Sequence, residues 1–168
     1  MTLILASEET LLPATIIAIL INLFLAQSTI VLGQSMETNF HENQRLIIEK
    51  VSYKARGPQR GDVIVIEPPA GNGAIPLIKR VIGLPGERVE VHRGRVYING
   101  VLLEESYVHA RDNSEMPAVV VPPLHVFVMG DNRGASNDSR SFGPIPIDTI
   151  VGRAWLSYWP LSELKIIR

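Results

Sequence analysis

"VEVHRGRVYINGVLL" (Val89–Leu103) is the stretch that decides the fold. Val89, Val91, Val96 and Ile98 alternate with polar residues, the period of a strand with one buried face. Two dipeptides interrupt the alternation, Arg93-Gly94 and Asn99-Gly100. Asn-Gly suits a type I′ hairpin turn, because both central residues must take positive φ. The stretch therefore predicts antiparallel strands joined by tight turns, and residues 88–127 read as a hairpin insertion. Working outward, "RLIIEKV", "GDVIVIEPP", "LIKRVIGL", "PLHVFVMGD" and "GRAWLSYWP" each give four to seven strand-like residues bounded by Gly, Pro, Asn or Asp. With no helix between them, these runs predict a mainly β, barrel-like domain of antiparallel sheets over residues 33–168. Only the N-terminal segment and a short turn near Ile147 to Ile150 read as helical.

Composition narrows the function classes. A net charge of −1 over 168 residues offers no basic field to collect phosphates, so nucleic acid is not an expected partner. The chain has no cysteine, which excludes disulfides, thiolate metal sites and cysteine nucleophiles. Its four histidines (His41, His92, His109 and His125) share no metal-ligand spacing. Neither a metal nor a cofactor is expected.

Residues 1–32 read as an N-terminal segment carrying a membrane anchor. Thr10 to Met36 contains no charged residue, and Leu11 to Ala26 is nearly all apolar. A helix rising 1.5 Å per residue needs ~20 residues to cross a hydrocarbon core of about 30 Å, so a single span near Leu11 to Leu32 is expected. A cleaved signal peptide would carry Lys or Arg ahead of the apolar run, where this chain has Glu8 and Glu9. Charge bias alone would put Arg45, Lys50, Lys54 and Arg56 in the cytoplasm, but long domains translocate largely regardless of it.

Three features could carry chemistry. The first is the Ser35-Met36 pair at the foot of the apolar segment. The second is Lys79, inside the apolar run "IPLIKRVIGLPGE"; a buried lysine loses charge and can take a proton from a hydroxyl. Alternation puts Lys79 and Arg80 on opposite faces, so one must point inward if either face is buried. A solvated edge strand would be the ordinary alternative. The third is "MGDNRGASNDSRSFG" (Met129–Gly143), which an Asx-rich capping loop would also explain. There Asp138 and Arg140 flank Ser139 at a spacing that suits a local ion pair.

Taken in order along the chain, "QSME", "RGDVIVIEPP", "IKRVIGLPGE" and "MGDNRGASNDSRSFGPI" resemble the type I signal peptidases, the membrane-bound Ser/Lys leader peptidases. The resemblance implies Ser35 as nucleophile and Lys79 as general base. It implies that Ser136 hydrogen-bonds Lys79, that Asp138 and Arg140 form a supporting pair, and that Asp131 and Arg133 shape the same loop. Met36 would line the substrate pocket, with Gly33 and Gln34 near the pocket or the oxyanion. Signal peptides of preproteins at the membrane surface, and the bilayer itself, are the implied partners, with a secretion translocase a further candidate. The implied location is a single-pass cell-membrane protein with its catalytic domain on the trans side. The chain departs from the family's frequent Ser-x-Ser-Met-x-Pro-Thr at Gly33 and Thr38, which motivates one alternative: a non-catalytic or impaired membrane paralogue that binds signal sequences. The repressor-type proteases also use Ser and Lys, but need a DNA-binding domain where this chain has its apolar segment.

Overall fold

The computed structural model describes residues 11–17, 25–68, 75–110 and 112–167. Its larger sheet has eight strands: β1 (Ala26–Ile30), β2 (Arg45–Glu49), β3 (Val63–Ile66), β4 (Leu77–Gly83), β9 (His125–Met129), β10 (Ile145–Pro146), β11 (Ile150–Trp159) and β12 (Lys165–Ile166). Their spatial order is β1-β2-β11-β3-β4-β9-β10, with β12 beside β11 and every pairing antiparallel. A second sheet holds β5 (Arg88–His92), β6 (Arg95–Ile98), β7 (Val101–Leu102) and β8 (Met116–Val120), in the order β7-β6-β5-β8.

The opening stretch folds as its turns dictate. His92 pairs with Arg95 and Ile98 with Val101, so each connection is two residues long. Arg93, Gly94, Asn99 and Gly100 all have positive φ, as a type I′ turn requires. Gly94 is needed twice over, because a Cβ there would run into the backbone carbonyl of Asp112. The second sheet ends at Val120, while His125–Met129 belongs to the larger sheet. The insertion is thus shorter than the expected 88–127, because the apolar run in β9 pairs with β4.

Three apolar clusters hold the sheets. Val63 and Val65 of β3 pack with Val31, Met36, Phe40, Leu46 and Ile78; Ile64 and Ile66 pack with Val81, Val126, Val128 and Ile145. β3 is buried at every position because both its faces carry core. The third cluster joins the sheets, with Ile82, Phe127 and Met129 from one against Val89, Val91 and Val96 from the other.

The N-terminal reading needs correction. Residues 11–17 are helical, but Ala26–Ile30 is a strand paired with β2 from Ala26↔Glu49 to Ile30↔Arg45. An anchor reaching Leu32 is therefore ruled out. The β-branched Thr29 and Ile30 gain a full ladder against β2, which outweighs continuing a helix. Residues 18–24 of the expected span lie outside the described ones. Among the described residues no helix is long and apolar enough to cross a membrane. The expected turn near Ile147 is a 3₁₀ turn at Ile147–Thr149. Two further single-turn helices form, α1 (Ser52–Ala55) and α2 (Ser139–Phe142). Four residues are too few for helical periodicity to register.

Candidate active site

Ser35 lies just beyond β1, on a turn closed by Glu37 N–H to Gln34 O (3.2 Å) and Phe40 N–H to Met36 O (2.9 Å). Met36 and Phe40 are buried in the core, so the turn is pinned from beneath. From above it is tied to the loop after β9. The Asn132 backbone N–H donates to Ser35 O (3.0 Å), and its side-chain amide to Gln34 O (3.1 Å). Gly130 makes this approach possible, since a Cβ there would collide with Ser35 O and Ser136 Oγ.

Lys79 comes from the middle of β4, where it pairs with Ile64 of β3. Its Nζ lies 2.7 Å from Ser35 Oγ, in hydrogen-bonding contact, and the residue is 2% exposed. No carboxylate among the described residues comes within ion-pair distance of it. Burial is the main reason its pKa falls to about 8 from an ordinary 10.5; Asp138 pulls the other way, Arg140 reinforces the fall, and Asp131 again opposes it.

Behind this pair the loop after β9 is a network of buried charges. Asp138 Oδ1 accepts from Arg140 Nε at 2.9 Å, and its Oδ2 accepts from the Gly130 backbone N–H and from Arg140 Nη2, both at 3.0 Å. Burial alone would raise the Asp138 pKa. The hydrogen bonds from Arg140, Ser136 and Gly130, with the Arg140 charge, outweigh it and hold the carboxyl low. Arg140 also donates to Asp112 Oδ2 (2.7 Å) and to the Arg133 carbonyl (2.7 Å).

Asp131 and Arg133 sit in that loop but pair elsewhere. Asp131 takes two hydrogen bonds from Arg80 (2.8 and 2.6 Å) and one from Asn39 Nδ2 (2.8 Å). Arg133 forms a fully buried ion pair with Glu105, which follows β7 of the second sheet. Asn39 also donates to the Tyr107 carbonyl (2.7 Å), so the Ser35 turn, the loop and the second sheet are linked.

The other expected residues sit as follows. Ser136 makes no hydrogen bond to Lys79. Its Oγ is buried without a well-formed partner, although it lies near enough to Asp138 to help hold that carboxyl low. Met36 is fully buried in the core, beneath the turn that carries Ser35. Gly33 has φ +78° and open space where a side chain would be, and Gln34 is exposed. Residues that sequence reasoning missed are Asn39, Arg80, Glu105, Tyr107 and Asp112. For Arg80 the signal was present, an arginine beside Lys79 in an apolar strand. For the others, nothing in the local sequence separates a buried partner from a loop residue.

A mainly antiparallel β fold that sets a serine hydroxyl against a buried lysine corresponds to a known class of peptidase. Residues 4–159 match the family described as "Signal peptidase, peptidase S26", and the chain belongs to that family. It is 40% identical over 163 residues to a probable signal peptidase I-2 of Synechocystis sp., covering 95% of this chain and 75% of that one. It is 41% identical over 159 residues to a signal peptidase I of Leptolyngbya laminosa, covering 90% and 77%. Among solved structures, a signal peptidase I from Enterococcus faecalis superposes with a TM-score of 0.50 at 35% identity, covering 58% of this chain and 97% of that one.

Proposed function

We propose that this protein is a serine endopeptidase that removes signal peptides from exported preproteins through an acyl-enzyme on Ser35. The observation that carries the reading is the 2.7 Å contact between Ser35 Oγ and a buried Lys79 that has no carboxylate partner among the described residues. A lysine with a pKa near 8 is partly neutral at neutral pH, and its free amine can take the Ser35 proton as Oγ attacks the scissile carbonyl. The resulting ammonium returns the proton to the departing amine. Water, deprotonated by the same amine, then hydrolyses the ester and releases Ser35. The Ser35 backbone N–H has no acceptor among the described residues and is free to donate to the oxyanion. Asp138, Arg140, Asp131 and Arg133 hold the loop against the turn that carries Ser35.

The apolar segment before β1 supports a membrane anchor ahead of Ala26, and membership in the family supports a catalytic domain on the trans side. Such an anchor would hold Ser35 near the surface where signal peptides emerge, a gain in proximity. The translocase is a candidate neighbour on the same reasoning. The test is cleavage of a preprotein in detergent by the full chain and by Ser35→Ala and Lys79→Ala. Loss of cleavage in both variants is expected, with no effect of EDTA on the parent. Cleavage persisting in both would overturn the assignment. Signal-peptide binding without an acyl-enzyme in the parent would favour the non-catalytic paralogue.

A further inference from the structure

A cavity of about 530 Å³, lined by neither Ser35 nor Lys79, has four arginines among its described lining residues, Arg56, Arg60, Arg80 and Arg153, with Asp62 the one acid among them. Its rim is apolar, including Trp155 and Ile166, which are 44% and 61% exposed. The arginines are not equally committed. Arg80 is engaged by Asp131 and the Gly61 carbonyl, and Arg60 by Glu87 and the Ile82 carbonyl. Arg153 donates from Nε to Glu49 (3.1 Å), while its Nη1 stands 3.6 Å from Asp62, too far for a hydrogen bond. Asp62 already accepts from Tyr53 Oη and the Gln59 backbone N–H. Arg56 is half-buried and has no counter-ion among the described residues.

The carboxylates that bind Arg60, Arg80 and Arg153, namely Glu87, Asp131 and Glu49, are not among the lining residues. A guanidinium carries five N–H donors in a fixed fork. Arg153 and Arg56 therefore retain donors toward a cavity whose wall supplies one acid among the described residues. Forked donors around a small concavity suit a tetrahedral oxyanion.

The location indicates where that anion would come from. Glu49, the partner of Arg153, pairs in register with Ala26, the first residue of β1, and Leu25 O accepts from the Lys50 N–H. The apolar N-terminal segment thus enters the domain two strands from the cavity. The two tryptophans of β11, Trp155 and Trp159, are both half exposed, as indole rings are where one side of a surface meets headgroups.

We propose that this cavity binds a phosphate ester, supplied by the headgroup of an anionic phospholipid beside the anchor. Arg56 and Arg153 donate to the phosphate oxygens, and Trp155 and Ile166 lie along the glycerol and first acyl carbons. The phosphate site stands apart from the peptidase reading; its lipid source rests on the anchor proposed above. The experiment reads binding rather than cleavage, so its failure would leave the peptidase reading intact. The full chain, in a non-ionic detergent and carrying Trp159→Phe so that Trp155 reports alone, is titrated with dihexanoyl phosphatidylglycerol, dihexanoyl phosphatidylcholine and inorganic phosphate. Saturable change with phosphatidylglycerol is expected, at least about tenfold tighter than with phosphatidylcholine. Affinity should fall about tenfold in Arg56→Gln and in Arg153→Gln, as for loss of a charged donor, and stay unchanged in Arg88→Gln on the second sheet. Equal affinity for the two lipids, or arginine variants that bind like the parent, would overturn the proposal. Inorganic phosphate binding as tightly as phosphatidylglycerol, with the same dependence on Arg56, would uphold the phosphate site and overturn its lipid source.

Discussion

Lys79 and Arg80 are consecutive on β4, and both are buried, yet they are treated in opposite ways. Arg80 faces a region built to keep a charge: it donates two bonds to the Asp131 carboxylate and one to the Gly61 carbonyl, with the Tyr107 ring 4.3 Å beneath its guanidinium carbon. Lys79 faces a region built to remove one, with a serine hydroxyl at 2.7 Å and no carboxylate in contact among the described residues. The difference follows from the side chains. A buried charge must be paired or neutralised. Arginine cannot give up its proton, so it must be paired; lysine can, so burial moves it to about 8. One side of the strand holds structural charge and the other holds a base.

The sharpest way to break that contrast is to put an arginine on the lysine side. Lys79→Arg keeps a cation but cannot supply a free amine, and should lower kcat/KM for a signal-peptide substrate by on the order of 10⁴-fold. Activity within tenfold of the parent would show that no deprotonated amine is needed. The complementary change is Asp131→Asn, which strips the Arg80 side of its carboxylate. It should cost roughly 3–5 kcal/mol in urea unfolding, because it leaves a buried guanidinium without its counter-charge. A loss below about 1 kcal/mol would place Arg80 in effective contact with water.

The lysine side also carries a stability cost that depends on pH. The folded pKa lies below the unfolded one, so between about pH 8 and 10.5 the unfolded chain binds more protons and stability rises with pH. Below that window the full cost is present, roughly 3 kcal/mol for a lysine brought from 10.5 down to about 8. Lys79→Met should therefore be more stable than the parent at pH 7, and the gap should close above pH 10. Asp138→Asn sharpens the same side more gently. Asp138 favours the ammonium, so its loss, with Arg140 left unmasked, should move the rise of rate to lower pH. The maximal rate should fall about tenfold as the loop loosens. A displacement to higher pH would contradict the charge assignment. The smallest effect expected is that of Tyr107→Leu, about 1 kcal/mol from loss of the ring under Arg80.

These two sides were unequally legible in the chain. Alternation in "LIKRVIGL" required one cation to point inward, and both do, because β4 has core on each face. The positive-φ dipeptides located both hairpin turns, since their chemistry is local. Ser35, Lys79 and the loop from Asp131 to Arg140 were legible only as an ordered set of motifs. The partners of the loop were not: Glu105 and Arg133 are 28 residues apart and Arg80 and Asp131 are 51 apart, and such pairs depend on how two sheets dock. Asn39 carried no local mark either, yet its amide ties Asp131 to the Tyr107 carbonyl. β1 was hidden inside an apolar run, because hydropathy does not distinguish a strand from the end of a span.

Catalysis by this route requires Lys79 to act as a neutral amine beside Ser35, and the pH dependence of kcat/KM for cleavage of a signal-peptide substrate by the full chain tests that most directly. It should rise about tenfold per pH unit below a midpoint near 8 and level off above it. A rate that is flat from about pH 6 to 9, or that falls as pH rises through 8, would contradict it.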